Sequence, residues 1–275
     1  MRRTAEHTYN TLVAGISRFF SNAGKRYAIL GLSGGIDSAV VLCLCVDALG
    51  KENVHCLLMP SPFSTVHSVT DAVKLAEQVD VSYHIVPIDS IYHKCLKELT
   101  PAFGHAPSGI TDENLQARIR GMLLMGYANQ KDFLLLNTTN KSELAMGYGT
   151  LYGDLAGALM VLADVYKTEI YELATFLNSE APRIPVSIIH KEPSAELRIN
   201  QKDSDSLPPY SVLDPILYAL IEEGKSPEEV IAKGAPKEVV EQILSAMHRY
   251  TFKYLQLPPL IKVTEHPLLS NEKWR

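Results

Sequence analysis

At 275 residues and 30.4 kDa the chain exceeds one small domain and falls short of two, so a single large α/β domain with appendages is expected. Apolar residues at 46% and charged residues at 21% exclude a disordered, collagenous or coiled-coil chain. A net charge of −5 provides no broad positive field to draw in nucleic acid, and the longest uncharged stretch, 53–70, contains Pro60 and Pro62 and does not read as a membrane span.

Leu12, Val13, Ile16, Phe19 and Phe20 recur at helical spacing, so the chain opens on an amphipathic helix and not on a signal core. Apolar runs at 27–32, 54–59, 83–88 and 133–137 read as strands covered by helices on both faces. Helix-period segments at 36–49, 66–78 and 90–99 follow the first three, and 112–130 leads into the fourth with Leu115, Ile119, Met122 and Leu123 on one stripe. The alternation predicts an α/β fold with a doubly wound, mostly parallel sheet in a Rossmann-like, three-layer arrangement. Segments 155–163 and 167–178 read as further helices. Residues 181–211, with Pro182, Pro185, Pro193, Pro208 and Pro209, read as a long loop and candidate lid. Helices resume at 213–223, at Ser226-Pro227-Glu228-Glu229, where a capping serine precedes a first-turn proline, and at 237–255. The tail from Leu257-Pro258-Pro259 is expected to lie extended along the surface. The expected organisation of 1–275 is one domain: an α/β core to about 178, a loop over about 179–211 and a small helical appendage from about 212. Cys43, Cys45, Cys56 and Cys95 show no metal or disulfide spacing and are expected to be buried free thiols of a cytoplasmic protein.

The strongest signal is the run Ser33-Gly34-Gly35-Ile36-Asp37-Ser38 between the first strand and its helix. Glycines there let backbone N–H groups close around phosphate oxygens, the helix N-terminus adds partial positive charge, and Ser33 and Ser38 add hydroxyl donors. A carboxylate at 37 is repelled by bound polyphosphate unless a divalent cation lies between them, which points to Mg²⁺. The plain alternative is a tight turn with Asp37 or Ser38 as a helix cap. Neither a P-loop lysine motif nor G-x-G-x-x-G is present, which disfavours kinase and dehydrogenase chemistry. A second run, 133–154, ends a strand in Asn137-Thr138-Thr139-Asn140 and continues to Glu143 and a glycine-rich turn. Ligands of such folds lie at strand carboxyl ends, where Thr138 and Asn140 offer hydrogen bonds and Glu143 a second metal carboxylate. The alternative makes Thr138 and Thr139 caps and Glu143 a solvated helix residue.

The first run resembles the loop of the ATP pyrophosphatase group, whose S-G-G-x-D-S sequence grips the pyrophosphate of ATP. Together with the second run and Gln116-Ala117-Arg118-Ile119-Arg120, the chain resembles the NAD synthetase family of adenine nucleotide alpha-hydrolase-like proteins, from the first strand to the Pro-Pro tail. That resemblance implies ATP-dependent amidation of deamido-NAD (nicotinic acid adenine dinucleotide) by ammonia through an adenylated carboxylate. The products are NAD, AMP and pyrophosphate. It places ATP on Gly31, Leu32, Ser33, Gly34, Gly35, Ile36, Asp37, Ser38, Thr138, Lys167 and Ser194. It places Mg²⁺ on Asp37 and Glu143, and deamido-NAD against Arg118, Phe252 and Lys253. Asp154 takes the role of orienting ammonia, with Asp37 and Ser33 beside it in the catalytic set. The plain alternatives are a first-turn charge for Lys167, a solvated face for Arg118 and a helix cap for Asp154. The chain departs from the ammonia-dependent pattern at Leu151, Ala158 and Phe252, and Thr150-Leu151-Tyr152-Gly153-Asp154 is closer to the synthetase portion of glutamine-dependent relatives. With no nitrilase-like portion in its length, free ammonia or delivery by a separate partner is expected. The family also implies a homodimer with the dinucleotide site near its interface; 112–130 with 155–163 is the candidate surface, and the plain alternative makes both segments core. A sulfur-transfer or tRNA-modifying relative and a non-catalytic nucleotide sensor are the competing readings.

Overall fold

The computed structural model describes residues 3–268, so both ends of the expected domain lie outside it. Five parallel strands, β1 (Ala28–Gly31), β2 (Val54–Leu58), β3 (Ser82–Ile85), β4 (Leu134–Asn137) and β5 (Leu159–Met160), form one sheet in the order β3-β2-β1-β4-β5. Alternate residues of the inner strands enter opposite cores. Ala28, Leu30, Cys56, Leu58 and Leu136 meet α1 (Ala5–Ala23), α2 (Ile36–Leu49), α3 (Val66–Gln78) and α7 (Lys167–Leu177). Ile29, Leu57 and Leu135 meet α4 (Asp89–Phe103) and α5 (Ile110–Lys131). This two-sided burial is why β1, β2 and β4 are largely apolar; the third strand was expected to be covered on both faces as well, but β3 is an edge strand on which Ser82, His84 and Ile85 are exposed. α2 and α3 have the predicted bounds, while α1 is closed by Thr4 at its N-cap and by left-handed Gly24 at its end.

Short α6 (Lys141–Ala145) follows β4, and α8 (Val186–His190) interrupts the stretch expected to be all loop. α9 (Tyr210–Ile221), α10 (Pro227–Ala232) and α11 (Lys237–Tyr254) pack into a separate apolar cluster with Ala145, Met146 and Tyr166. The Ser226 capping box is formed as read. None of the described helices is long and apolar enough to cross a membrane.

Further expectations fail. Residues 155–163 are not a helix: turns lead into edge strand β5, because Gly157, at φ +153°, brings the chain against the Leu135 carbonyl, and the amide of Ala158 donates to that oxygen. The tail does not lie on the surface. Leu260 bridges Met160 in parallel at the sheet edge and is buried, and the amides of Val263 and Thr264 donate to the buried carboxylate of Asp164. Cys43, Cys45 and Cys56 are buried free thiols, whereas Cys95 is half-exposed.

Candidate active site

Strand order reverses between β1 and β4, and the carboxyl ends of these two strands open on a cavity of about 820 Å³. Of the run 31–38, all but Gly34 line it. Gly34 is buried with φ +76°, pressed so close to α3 that a Cβ would stand 2.2 Å from the Ser68 carbonyl oxygen. Ser33 and Ser38 brace the turn: the Gly35 amide donates to Ser33 Oγ at 3.2 Å, and Ser38 Oγ donates to the Gly35 carbonyl at 3.0 Å. α2 starts at Ile36 with Gly35 as its cap, so neither Asp37 nor Ser38 is spent on capping.

Asp37 instead faces α6 and α7. Lys167 Nζ, almost fully buried, donates to Asp37 Oδ2 at 2.5 Å and lies 3.5 Å from Glu143 Oε1, while Asn140 Nδ2 donates to Asp37 Oδ1 at 3.0 Å. Glu143 is no solvated helix residue. One oxygen closes the α6 capping box by accepting the Asn140 amide, and the other turns toward Lys167. Burial pushes the Glu143 carboxyl up to about 8, against the pull of Lys167. Burial also works against the charge on Lys167, but Asp37 and Glu143 outweigh it and hold the ammonium protonated. One cation between two carboxylates thus has the closer, Asp37, as its main partner, while burial favours the protonated form of Glu143. Beneath them, Ser142 Oγ accepts the Lys167 amide and donates to Asp214, whose other oxygen accepts the Thr168 amide, so the start of α7 is fixed to α6 and α9.

Thr138 and Ser194 line the same cavity. The Ser194 hydroxyl donates to the Gln201 carbonyl at 2.6 Å and accepts the Glu196 amide. Asp154 lines it opposite, in a turn held by the Thr150 amide at 3.0 Å. The surrounding walls desolvate its carboxyl and raise its pKa, with that amide and the Lys253 charge opposing. Lys253 enters from α11 and donates to the Gly147 and Gly149 carbonyls. Arg118 and Phe252 are not brought in. Arg118 is exposed and donates to the Leu151 carbonyl, and Phe252 is 53% exposed on the outer side of α11.

Several cavity residues carried no signal of their own. Arg120, whose Nε donates to the Met59 carbonyl and whose pKa is lowered by burial to about 10, was legible only as part of the run 116–120. Asp203, buried and bonded to Tyr148 and Tyr210, and the pair Lys191–Glu196 sit in a stretch that reads as plain loop.

The sheet order, the Ser-Gly-Gly turn and the acidic pair at the switch point define a nucleotide-binding α/β protein of the adenine nucleotide alpha-hydrolase fold. The family model for NAD synthase matches residues 8–258, and the chain belongs to that family. A glutamine-dependent NAD(+) synthetase of Synechocystis sp. is 48% identical over 270 residues, 98% of this chain and 48% of the relative. Among solved structures, an NH3-dependent NAD synthetase of Campylobacter jejuni superposes with a TM-score of 0.74 at 32% identity, over 92% of this chain and 96% of that one. An NMN synthetase of Francisella tularensis gives 0.79 at 28% identity, over 98% and 100%. The chain spans about half the length of the curated relatives it matches.

Proposed function

We propose that this chain amidates deamido-NAD with ATP and ammonia, releasing NAD, AMP and pyrophosphate. The observation that carries this reading is the convergence, at one end of the β1–β4 crevice, of the glycine turn, the Asp37–Lys167–Glu143 cluster and Asp154 in a single cavity. A nicotinate carboxylate is a poor electrophile for ammonia because its leaving group is oxide. Transfer of AMP onto it supplies a stable leaving group. In this reading the outer phosphates of ATP lie against the turn at 33–35 and replace its internal Ser33, Gly35 and Ser38 hydrogen bonds, and Thr138 and Ser194 approach the same ligand. On the same reading Asp154 accepts a hydrogen bond from ammonia and takes up a proton as the amide forms, a role that its raised pKa supports.

Asp37 and Glu143 fit Mg²⁺. They are hard oxygen donors facing one cation position, which the Lys167 ammonium takes here, and phosphate oxygens complete such a site. When bound, the ion neutralises polyphosphate charge, and displaced Lys167 is free to pair with a phosphate.

Ammonia is the donor that suits the residues in hand. Desolvation pushes the buried thiol of Cys43 up to about 12 and raises those of Cys45 and Cys56, which argues against these three as glutaminase nucleophiles, and half-exposed Cys95 lies on α4, away from the lining of the cavity. We further propose a cytoplasmic homodimer. Arg118 and Phe252 stand outside their own cavity on an exposed surface with Met122, Met125 and Tyr152, a surface suited to meet a second copy. The segment 155–163 does not contribute as expected, because Leu155, Leu159, Val161 and Leu162 are interior.

The test is incubation with ATP, Mg²⁺ and ammonium or glutamine, with deamido-NAD or its mononucleotide counterpart as acceptor. The expected result is one AMP per NAD, with ammonium and the dinucleotide preferred. ADP as product, or AMP release only with tRNA, defeats the proposal.

A further inference from the structure

The turn at 33–35 has no lysine of its own, and the cavity that would receive a triphosphate is acidic, with carboxylates outnumbering cations along its walls. Most of those cations are already committed. Lys167 lies between Asp37 and Glu143 until a metal ion displaces it, Lys253 is held by the Gly147 and Gly149 carbonyls, and Arg120 by that of Met59. Lys191 differs. Its Nζ donates to two side chains, Ser68 Oγ at 2.5 Å and Glu196 Oε1 at 2.8 Å, and all three line the cavity. Side-chain partners release an ammonium by rotation, which backbone carbonyls do not.

Position makes that release useful. Ser68 is the residue against which Gly34 is packed, so the Lys191 head group lies one side chain away from the underside of the turn. Glu196 holds the lysine from a left-handed backbone, φ +50°, a conformation strained for a non-glycine residue. Its carboxylate also accepts from Ser68 Oγ and from the Thr65 amide and hydroxyl. Although burial opposes its charge, these bonds and Lys191 keep the carboxyl below its ordinary pKa, so Glu196 is an ionised resting partner.

We propose that Lys191 is a phosphate-binding residue that exchanges Glu196 for the outer phosphoryl groups of ATP, doing from the 191–201 segment what a P-loop lysine does from within its own loop. The inference rests on the adenylating reading above. In that step a carboxylate oxygen forms a bond to the α-phosphorus, the bond from that phosphorus to the bridging oxygen breaks, and pyrophosphate leaves with the electron pair. Lys191 donates hydrogen bonds to the charge that develops there and transfers no proton.

The test is calorimetric titration of the parent, Lys191→Met, Lys191→Arg and Glu196→Gln with Mg²⁺ and either ATP, inorganic pyrophosphate or AMP. Lys191→Met is expected to weaken pyrophosphate and ATP at least tenfold while leaving AMP within twofold, and Lys191→Arg to stay within threefold throughout. Glu196→Gln, which removes the competing charge, is expected to tighten pyrophosphate binding. If the parent binds pyrophosphate and Lys191→Met binds it equally well, or if pyrophosphate and AMP weaken together, the assignment to Lys191 is wrong. A parent that binds neither ATP nor pyrophosphate overturns the nucleotide reading and this assignment with it.

Discussion

An added methyl at Gly34 would stand 2.2 Å from the Ser68 carbonyl oxygen, whereas one at Gly35 meets only the Ser33 hydroxyl, at 3.3 Å. The two glycines therefore differ: Gly34 is required by packing, whereas Gly35 has room and lines the cavity proposed for ATP. Gly34→Ala is expected to lose at least about 2 kcal/mol of stability from overpacking and left-handed strain, read by urea unfolding. Gly35→Ala should unfold within about 0.5 kcal/mol of the parent yet bind ATP more weakly; the reverse ranking would contradict this division. At Glu143 the sign of a pH effect follows from its shift. The folded carboxyl sits at about 8, above its ordinary 4.5, so the folded chain keeps a proton that the unfolded chain gives up. The stabilisation from that proton is complete below pH 4.5 and is lost as pH rises to 8. Metal-free parent protein should lose thermal stability across this window more steeply than Glu143→Gln, and parallel curves would refute it. The sequence shows Asp37 and Glu143 as carboxylates near a phosphate turn, but not that Lys167, read as a family match or a first-turn charge, lies between them. Spacings of 130 and 24 residues leave no local pattern.

Lys141, on the first turn of α6, has no accessible surface. Its Nζ donates to Asp164 at 2.8 Å, to Glu222, to the Thr264 hydroxyl and to the His266 carbonyl, beneath the ring of Tyr166. This node ties β5, α9 and the tail to the helix that carries Glu143. Lys141→Met would leave Asp164 buried without its cation, and we expect a loss of about 3–5 kcal/mol, measured by denaturant titration. A loss under 1 kcal/mol would mean the node contributes little. Nothing local marks Lys141 in the sequence, because a lysine four residues after a strand reads as solvated. The strands and long helices were legible because two-sided burial leaves continuous apolar runs and amphipathic periods. The stretch Leu155-Ala156-Gly157-Ala158-Leu159-Met160-Val161-Leu162-Ala163 misled for the same reason. It is apolar enough for either element, and only the approach of Gly157 to β4 and the pairing of Leu260 with Met160 decide for a strand. The tail was misread because its partner is an edge that the sequence had not revealed.

Across the molecule, the cavity is assembled from the sheet core, the 191–201 segment and α11, so the α/β core and the helical appendage share one site. The exposed surface around Met122, Tyr152 and Phe252 gives the homodimer its test. Parent protein should sediment as a dimer at micromolar concentration, and Met122→Lys with Tyr152→Lys should sediment as a monomer with its fold intact. A parent that is monomeric at every concentration removes this part of the account. The location of the site was legible at this level, since strand order follows from alternating elements and ligands gather where that order reverses. The choice of nitrogen donor was not, because it depends on whether a glutaminase delivers ammonia to this chain. The central claim is that a substrate carboxylate attacks the α-phosphorus of ATP in this cavity, and isotope transfer tests it most directly. With deamido-NAD carrying ¹⁸O in its carboxylate, the account predicts one labelled oxygen in each AMP released and none in pyrophosphate. Unlabelled AMP, or label in a released phosphate, would contradict it.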